Sequence, residues 1–259
     1  MRSARLTGPR LTGPRLTGPR LTGPDRLAVV LVAHGSRDPR AAAATEALAC
    51  AVRRVRPDWE VRATYLDHAG PRPLDVLAAL PGRRAVVVPL LLTKAYHGRV
   101  DLPAVLSAAA GLPVSVTLAP VLGPAPAVIE GLVRRLPADR LDAVVLAAAG
   151  TRDAAARATV ERAADALSAR LSVPCAVSYA SAAPPLPGAV VDLLRASGAR
   201  RIGVAAYFLA PGRLYDLAAR SALEAGAVAV AEPLTDAPEI ARLVAARVDE
   251  SLSGLLAAA

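Results

Sequence analysis

The chain holds three histidines, His34 in VVLVAHGSRD, His68 in YLDHAGPRP and His97 in TKAYHGRVDLP, and all lie in its first half. Each follows a short aliphatic run of strand character, and Asp67 precedes the second. Neutral imidazoles beside a carboxylate suit a divalent transition ion. The same groups can move protons near pH 7. In an open parallel sheet the carboxyl ends of the strands share one edge, where ligands bind. The pattern therefore predicts that His34, His68, His97 and Asp67 converge there.

The stretch around His34, Val29 to Asp38, recurs as VVLAAAGTRD, Val144 to Asp153, with Ala149 in place of the histidine. Gly35 and Gly98 each follow a histidine, which fits a turn needing positive φ or a close approach of backbone to ligand. Ser36 or Asp38 can cap the helix that follows. Arg37 is kept as Arg152 in the copy without histidine, which favours a shared structural role such as bonding the turn and leaves carboxylate binding open.

Aliphatic runs alternate with segments of helical spacing from Leu27 onward. Strands are expected near Leu27–Ala33, Glu60–Leu66, Arg84–Leu91 and Val114–Thr117, with helices near Arg40–Val55, Pro73–Leu80, Leu102–Ala110 and Ala127–Leu136. The second half repeats the order. Its strands are expected near Leu141–Ala148, Cys175–Tyr179, Arg201–Tyr207 and Val228–Ala231, and its helices near Ala154–Leu171, Gly188–Ser197, Leu214–Ala225 and Pro238–Leu252. Continuous aliphatic strands indicate a sheet covered on both faces. The fold class is α/β: two tandem domains, each a four-stranded, mainly parallel sheet flanked by helices. We divide the chain into a tail at residues 1–24, a histidine-bearing domain at 25–138 and a degenerate repeat at 139–259. The tail is four copies of RLTGP, and Gly-Pro at every step bars helix and central strand, so disorder is expected.

Hydrophobic residues make up 54% of the chain and aromatics only 3%, so the core must be built mostly from Ala, Val and Leu. AVVVPLLL, Ala85 to Leu92, is the longest clear apolar run, short of the roughly 18 residues of a membrane helix. No membrane partner is expected. The basic N-terminus leads into Thr, Gly and Pro rather than an apolar segment, which argues against a secretory signal and for the cytoplasm. Five arginines precede residue 25 and no acid does, so only +4 of the formal charge of +9 belongs to the remainder. That mild excess, without a basic helix face or aromatic interleaving, argues against nucleic acid and fits a small acidic substrate. Cys50 and Cys175 form no CxxC pattern and are expected to be buried small hydrophobes.

LVAHGSRDPRA (Leu31 to Ala41), VVVPLLLTKAYHGRVDLPAVL (Val86 to Leu106), and YFLAPGRLYD (Tyr207 to Asp216) with AEPLTDAPEIARLVAARVDE (Ala231 to Glu250) together carry a family resemblance. From about Leu27 to its C-terminus the chain resembles the class II chelatases of the sirohydrochlorin cobalto- or ferrochelatase type. The resemblance implies insertion of Fe²⁺ or Co²⁺, as substrate, into sirohydrochlorin, on the way to sirohaem or cobalamin. No organic cofactor is implied. It makes His34 and His97 the catalytic and metal-holding histidines, with Asp67 as the assisting acid where the family carries glutamate. The substrate is rich in carboxylates, and Lys94, Arg99 and Arg213 are expected at the cleft rim to bind them. The histidine-poor second half resembles the stand-alone chelatases of sirohaem synthesis, which slightly favours iron. It is expected to form the opposite wall of the cleft, giving a monomer with an internal pseudo-dimer and one active site.

Two other enzyme readings fare worse. A histidine phosphohydrolase wants arginine directly before the histidine, where Ala33 stands, and no GxGxxG or Walker A pattern follows any strand. A non-catalytic metal or tetrapyrrole carrier would use the same histidines.

Overall fold

The computed structural model describes residues 26–80, 82–93, 101–138 and 140–258. The RLTGP repeats and Lys94, His97, Gly98 and Arg99 lie outside the described residues.

The first repeat runs β1 (Ala28–Ala33), α1 (Pro39–Val55), β2 (Glu60–Tyr65), α2 (Pro73–Ala78), β3 (Arg84–Pro89), α3 (Asp101–Ala109), β4 (Ser115–Leu118) and α4 (Pro126–Arg135). The second runs β5 (Ala143–Ala148), α5 (Ala154–Leu171), β6 (Cys175–Tyr179), α6 (Pro187–Ala196), β7 (Ile202–Tyr207), α7 (Arg213–Glu224), β8 (Ala229–Val230) and α8 (Pro238–Ala258). The sheets have strand orders β2-β1-β3-β4 and β6-β5-β7-β8, and every pairing is parallel. The expected "mainly parallel" sheets are thus wholly parallel among the described residues, where each connection carries a helix and no hairpin occurs.

Strand residues alternate between two apolar layers. Val29, Leu31, Val86 and Val88 face one cluster, while Ala28, Val30, Val32 and Val87 face another with α2. The second sheet does the same, with Val144 and Leu146 inward and Val145 and Val204 toward α6 and α7. The inward cluster is common to both repeats, running without interruption from Val29 and Leu48 to Leu146, Ile240 and Val244.

The last helix of each repeat makes this continuity. Helix α8 packs on α1 and against β3 and β4 of the first repeat, and α4 packs on α5 and β7 of the second. The two also pack on one another, and Gly131 of α4 allows Leu234, which precedes α8, to come within 3.0 Å of the space a Cβ would take. Arg134 of α4 bonds Glu239 of α8 at 2.9 Å, and Arg56 bonds Asp249 of α8 at 2.8 Å while lying 3.8 Å over the Trp59 ring.

The cysteines depart from expectation. Cys50 is exposed on α1, 3.3 Å from Arg53 Nη1, because it lies off the apolar stripe formed by Leu48, Ala49 and Val52. Cys175 is half-buried, and burial pushes its thiol up to about 12, with Asp165 adding to the effect. No described helix is long and apolar enough to cross a membrane.

Candidate functional site

Strand β1 is central in its sheet, paired with β2 through Ala33 opposite Tyr65 and with β3 through Val32 opposite Pro89. The residue after its end is His34, exposed at the carboxyl edge. The His34 carbonyl accepts from the Asp67 N–H at 2.8 Å, which joins the β1 and β2 loops. Gly35 makes that approach possible. Its φ is +94°, and a Cβ there would stand 1.8 Å from the Asp67 carbonyl oxygen. Gly150 repeats the arrangement, with φ +97° and a Cβ 1.9 Å from the Ser181 carbonyl oxygen. The glycine therefore serves the turn, with or without a histidine before it.

The cap is shared as well. Asp38 accepts from Arg40 N at 2.9 Å, and its own N–H donates to Ser36 Oγ at 3.0 Å. In the copy, Asp153 accepts from Ala155 N at 2.9 Å and donates to Thr151 Oγ1 at 3.1 Å. Of the two cap candidates, Asp38 is the cap and Ser36 braces it. Arg37 does not bond the turn. It makes no hydrogen bond among the described residues and lines the adjoining cleft beside His34.

Asp67 and His68 complete the described part of the edge. The His34 and His68 rings lie 6.5 Å apart, nearly perpendicular, and His68 Nε2 is 3.4 Å from Asp67 Oδ2. His68 adopts the left-handed region at φ +61°, and its N–H donates to Asp67 Oδ1 at 2.8 Å. That bond, aided by the charge of Arg72 and by His68 and His34 whenever they are protonated, holds the Asp67 carboxyl below its ordinary range. The acid thus stays ionised beside two imidazoles. Among the described residues no three His, Cys, Asp or Glu side chains gather closely enough to hold a metal by themselves. His97, Lys94 and Arg99 fall outside the described residues.

Three cavities meet at His34. An open cleft of about 860 Å³ is lined by His34, Arg37, His68, Arg213 and Arg220. A slot of about 450 Å³ runs between the repeats from His34 and Leu90 to Ala149, Gly150 and Tyr207. A third space, of about 290 Å³, lies between Tyr65 and Thr45 on one side and Leu209 and Pro211 on the other. Across the cleft, Arg40 Nη2 bonds Asp38 at 2.5 Å and Asp216 of α7 at 2.6 Å, bridging the repeats. Arg213 and Arg220, seven residues apart on α7 and so on one helical face, make no hydrogen bond among the described residues. The spacing of Arg220 from Arg213 was readable in the sequence. Its placement opposite His34 was not.

Comparison with known proteins bears on the family and the fold. A sirohydrochlorin cobaltochelatase from Methanococcoides burtonii is 24% identical over 85 residues, which is 32% of this chain and 65% of that relative. The match thus spans just under two thirds of the curated relative. The structure of SirB from Bacillus subtilis with Fe³⁺ superposes with a TM-score of 0.74 at 21% identity, covering 87% of this chain and 95% of that one. The sirohydrochlorin chelatase SirB of B. subtilis subspecies spizizenii, in complex with cobalt, gives 0.72 at 20% identity, with 87% and 95% covered. At these identities the likeness is one of fold. The family model described as CbiX matches residues 28–138 and again residues 143–251, so nearly the whole described chain is two copies of one unit. The chain belongs to the CbiX family.

Proposed function

We propose that this protein is a sirohydrochlorin chelatase that inserts a divalent metal ion, Fe²⁺ in preference to Co²⁺, into the metal-free macrocycle. The observation that carries the reading is the position of His34: a histidine at the edge of a central parallel strand, next to an ionised acid, where an arginine-lined cleft meets an apolar slot. Its relatives support the activity. The preference for iron rests on the resemblance of the histidine-poor second half to stand-alone sirohaem-pathway chelatases.

The reaction exchanges two pyrrole N–H protons for one divalent cation, so the site must supply a temporary ligand and a proton acceptor together. His34 and His97 fill both roles as neutral imidazoles, which bind the ion and accept a proton when they release it. Asp67, held ionised, stabilises the positive charge that gathers when metal and protons share the site. Lys94, Arg99 and Arg213 bind the substrate's carboxylates, Arg213 from the first turn of α7.

Anaerobic spectrophotometry of sirohydrochlorin with Fe²⁺ or Co²⁺ tests the reading. Conversion of the ring spectrum above the uncatalysed rate, lost in His34→Ala, is expected, with the faster rate for Fe²⁺. Binding of ring or metal without conversion would make the protein a carrier and overturn it.

A further inference from the structure

The turn after the second strand is built alike in both repeats. The Asp67 N–H donates to the His34 carbonyl and the Ser181 N–H to the Ala149 carbonyl, at 2.8 and 3.1 Å. Two residues on, the Ala69 N–H returns to the Asp67 carbonyl at 2.7 Å and the Ala183 N–H to the Ser181 carbonyl at 2.8 Å. Tyr65 and Tyr179 close the turns by donating to the Pro71 and Pro185 carbonyls at 3.0 and 2.9 Å. Between these bonds His68 and Ala182 both take the left-handed region, at φ +61° and +63°, which is uncommon outside glycine. An alanine thus holds the backbone that His68 holds, so the turn does not call for an imidazole.

The side chains are what differ. Ser181 turns its hydroxyl back into the turn, donating to the Ala149 carbonyl at 2.9 Å. Asp67 has no such use, because an ionised carboxylate only accepts. Its Oδ1 accepts from the His68 N–H at 2.8 Å, and its Oδ2 stands 3.4 Å from His68 Nε2. Two donors at that separation, each about 2.1 Å from a shared cation, subtend about 108° at it, near the tetrahedral angle. The side chains of His68 and Asp67 are 35% and 53% exposed, so solvent reaches the pair. Arg72 lies 3.9 Å from Oδ1, the other oxygen, where its charge weakens the hold on a cation. Two protein ligands with water around the rest make a weak hold, as a site that must give up its ion requires. His34 lines the same open cleft as His68, with the two rings 6.5 Å apart.

We propose that His68 Nε2 and Asp67 Oδ2 form an entry site for the metal substrate, which takes the hydrated cation from solvent in the cleft and passes it to His34. Loading replaces two water ligands by Nε2 and Oδ2, and transfer replaces Nε2 by the His34 imidazole; no electron moves and no covalent bond breaks. His68 is thereby a metal-binding residue apart from the histidines that hold the ion against the ring. The second repeat, with Ala149, Ser181 and Ala182 at the equivalent positions, carries none of the three ligands. Passage to His34 rests on the chelatase reading, whereas capture by the pair does not.

The probe is Co²⁺, titrated without macrocycle into the full chain and followed by its visible absorption. His34→Ala is expected to retain a Co²⁺ site, and His34→Ala combined with His68→Ala to bind at least tenfold more weakly. Equal affinity in the two would overturn the entry site. In turnover, His68→Ala is expected to raise the KM for Fe²⁺ at least tenfold and to leave the KM for sirohydrochlorin within twofold. A fall in kcat with an unchanged metal KM would overturn capture even in an active chelatase. Ala182 shows that alanine fits this turn, and thermal melting of His68→Ala checks the fold directly. If the wild type inserts no metal while its Co²⁺ affinity still depends on His68, the chelatase reading falls and the pair stands. A wild type that neither binds Co²⁺ nor inserts metal overturns both.

Discussion

His34 and Ala149 occupy the same turn, with the same glycine, the same hydroxyl brace and the same aspartate cap around them. The imidazole is therefore not needed to build the turn, and its removal separates chemistry from folding. His34→Ala and His97→Ala are each expected to cut the chelation rate about 100-fold or more, the scale of a lost acid–base group, and His34→Ala to leave the melting temperature within a few degrees. Unimpaired turnover in both would sink the assignment. Tyrosines make a second comparison at this scale. Tyr65 Oη donates to the Ala42 carbonyl at 3.2 Å, whereas the buried Tyr179 hydroxyl has no hydrogen-bond partner among the described residues. Tyr65→Phe is expected to lose about 1 kcal/mol and Tyr179→Phe to be neutral or slightly stabilising, since only the first gives up a bond. Chemical denaturation distinguishes the two, and equal losses would show that the hydroxyls are equivalent.

At the scale of elements, the strand-to-helix turns hold the site together. Gly35→Ala forces a Cβ onto the Asp67 carbonyl and a side chain into the left-handed region, and Gly150→Ala does the same at Ser181. Each is expected to cost about 1–3 kcal/mol from the backbone alone. Gly35→Ala should also depress turnover by more than tenfold, because it displaces His34 from Asp67; turnover within threefold of wild type would argue against His34 as the working histidine. Carboxylates of these turns, and Asp142 just before β5, also set the acid limit. Asp38 is held below the ordinary carboxylate range chiefly by Arg40, Asp142 by the N–H groups of Arg201 and Arg200, and Asp67 by the His68 N–H. A lowered folded-state pKa means that stabilisation is complete above the carboxylate range and is lost as pH falls through the folded-state values. Melting temperatures are expected to be flat from about pH 7 to 5 and to drop below about pH 4, with a smaller drop in Asp38→Asn, measured by circular dichroism.

For the whole molecule, the exchange of terminal helices matters most. Helix α8 covers β3, β4 and α1, while α4 covers β7 and α5, so neither repeat closes its core alone. A chain ending at residue 138 keeps α4 but loses the cover over Leu48, Val52 and Val86. It is expected to remain unfolded or to self-associate, and sedimentation as a folded monomer would refute this. Conversely, deletion through Pro24 is expected to leave turnover within twofold.

The sequence by itself determined the α/β class, the duplication and most element boundaries, because buried parallel strands appear as uninterrupted aliphatic runs and Asp38, Asp153 and the prolines mark helix starts. It also singled out His34 and Asp67, whose places after strand ends follow from local order alone. The tertiary structure decided which helices cover which sheet, that Cys50 points outward, and that Arg37 faces a cleft instead of bonding its own turn. It also set Ala149 and His34 across one slot. Most of these are contacts between segments tens to some two hundred residues apart, and local periodicity carries no information about them. They are fixed only when two apolar faces bury one another.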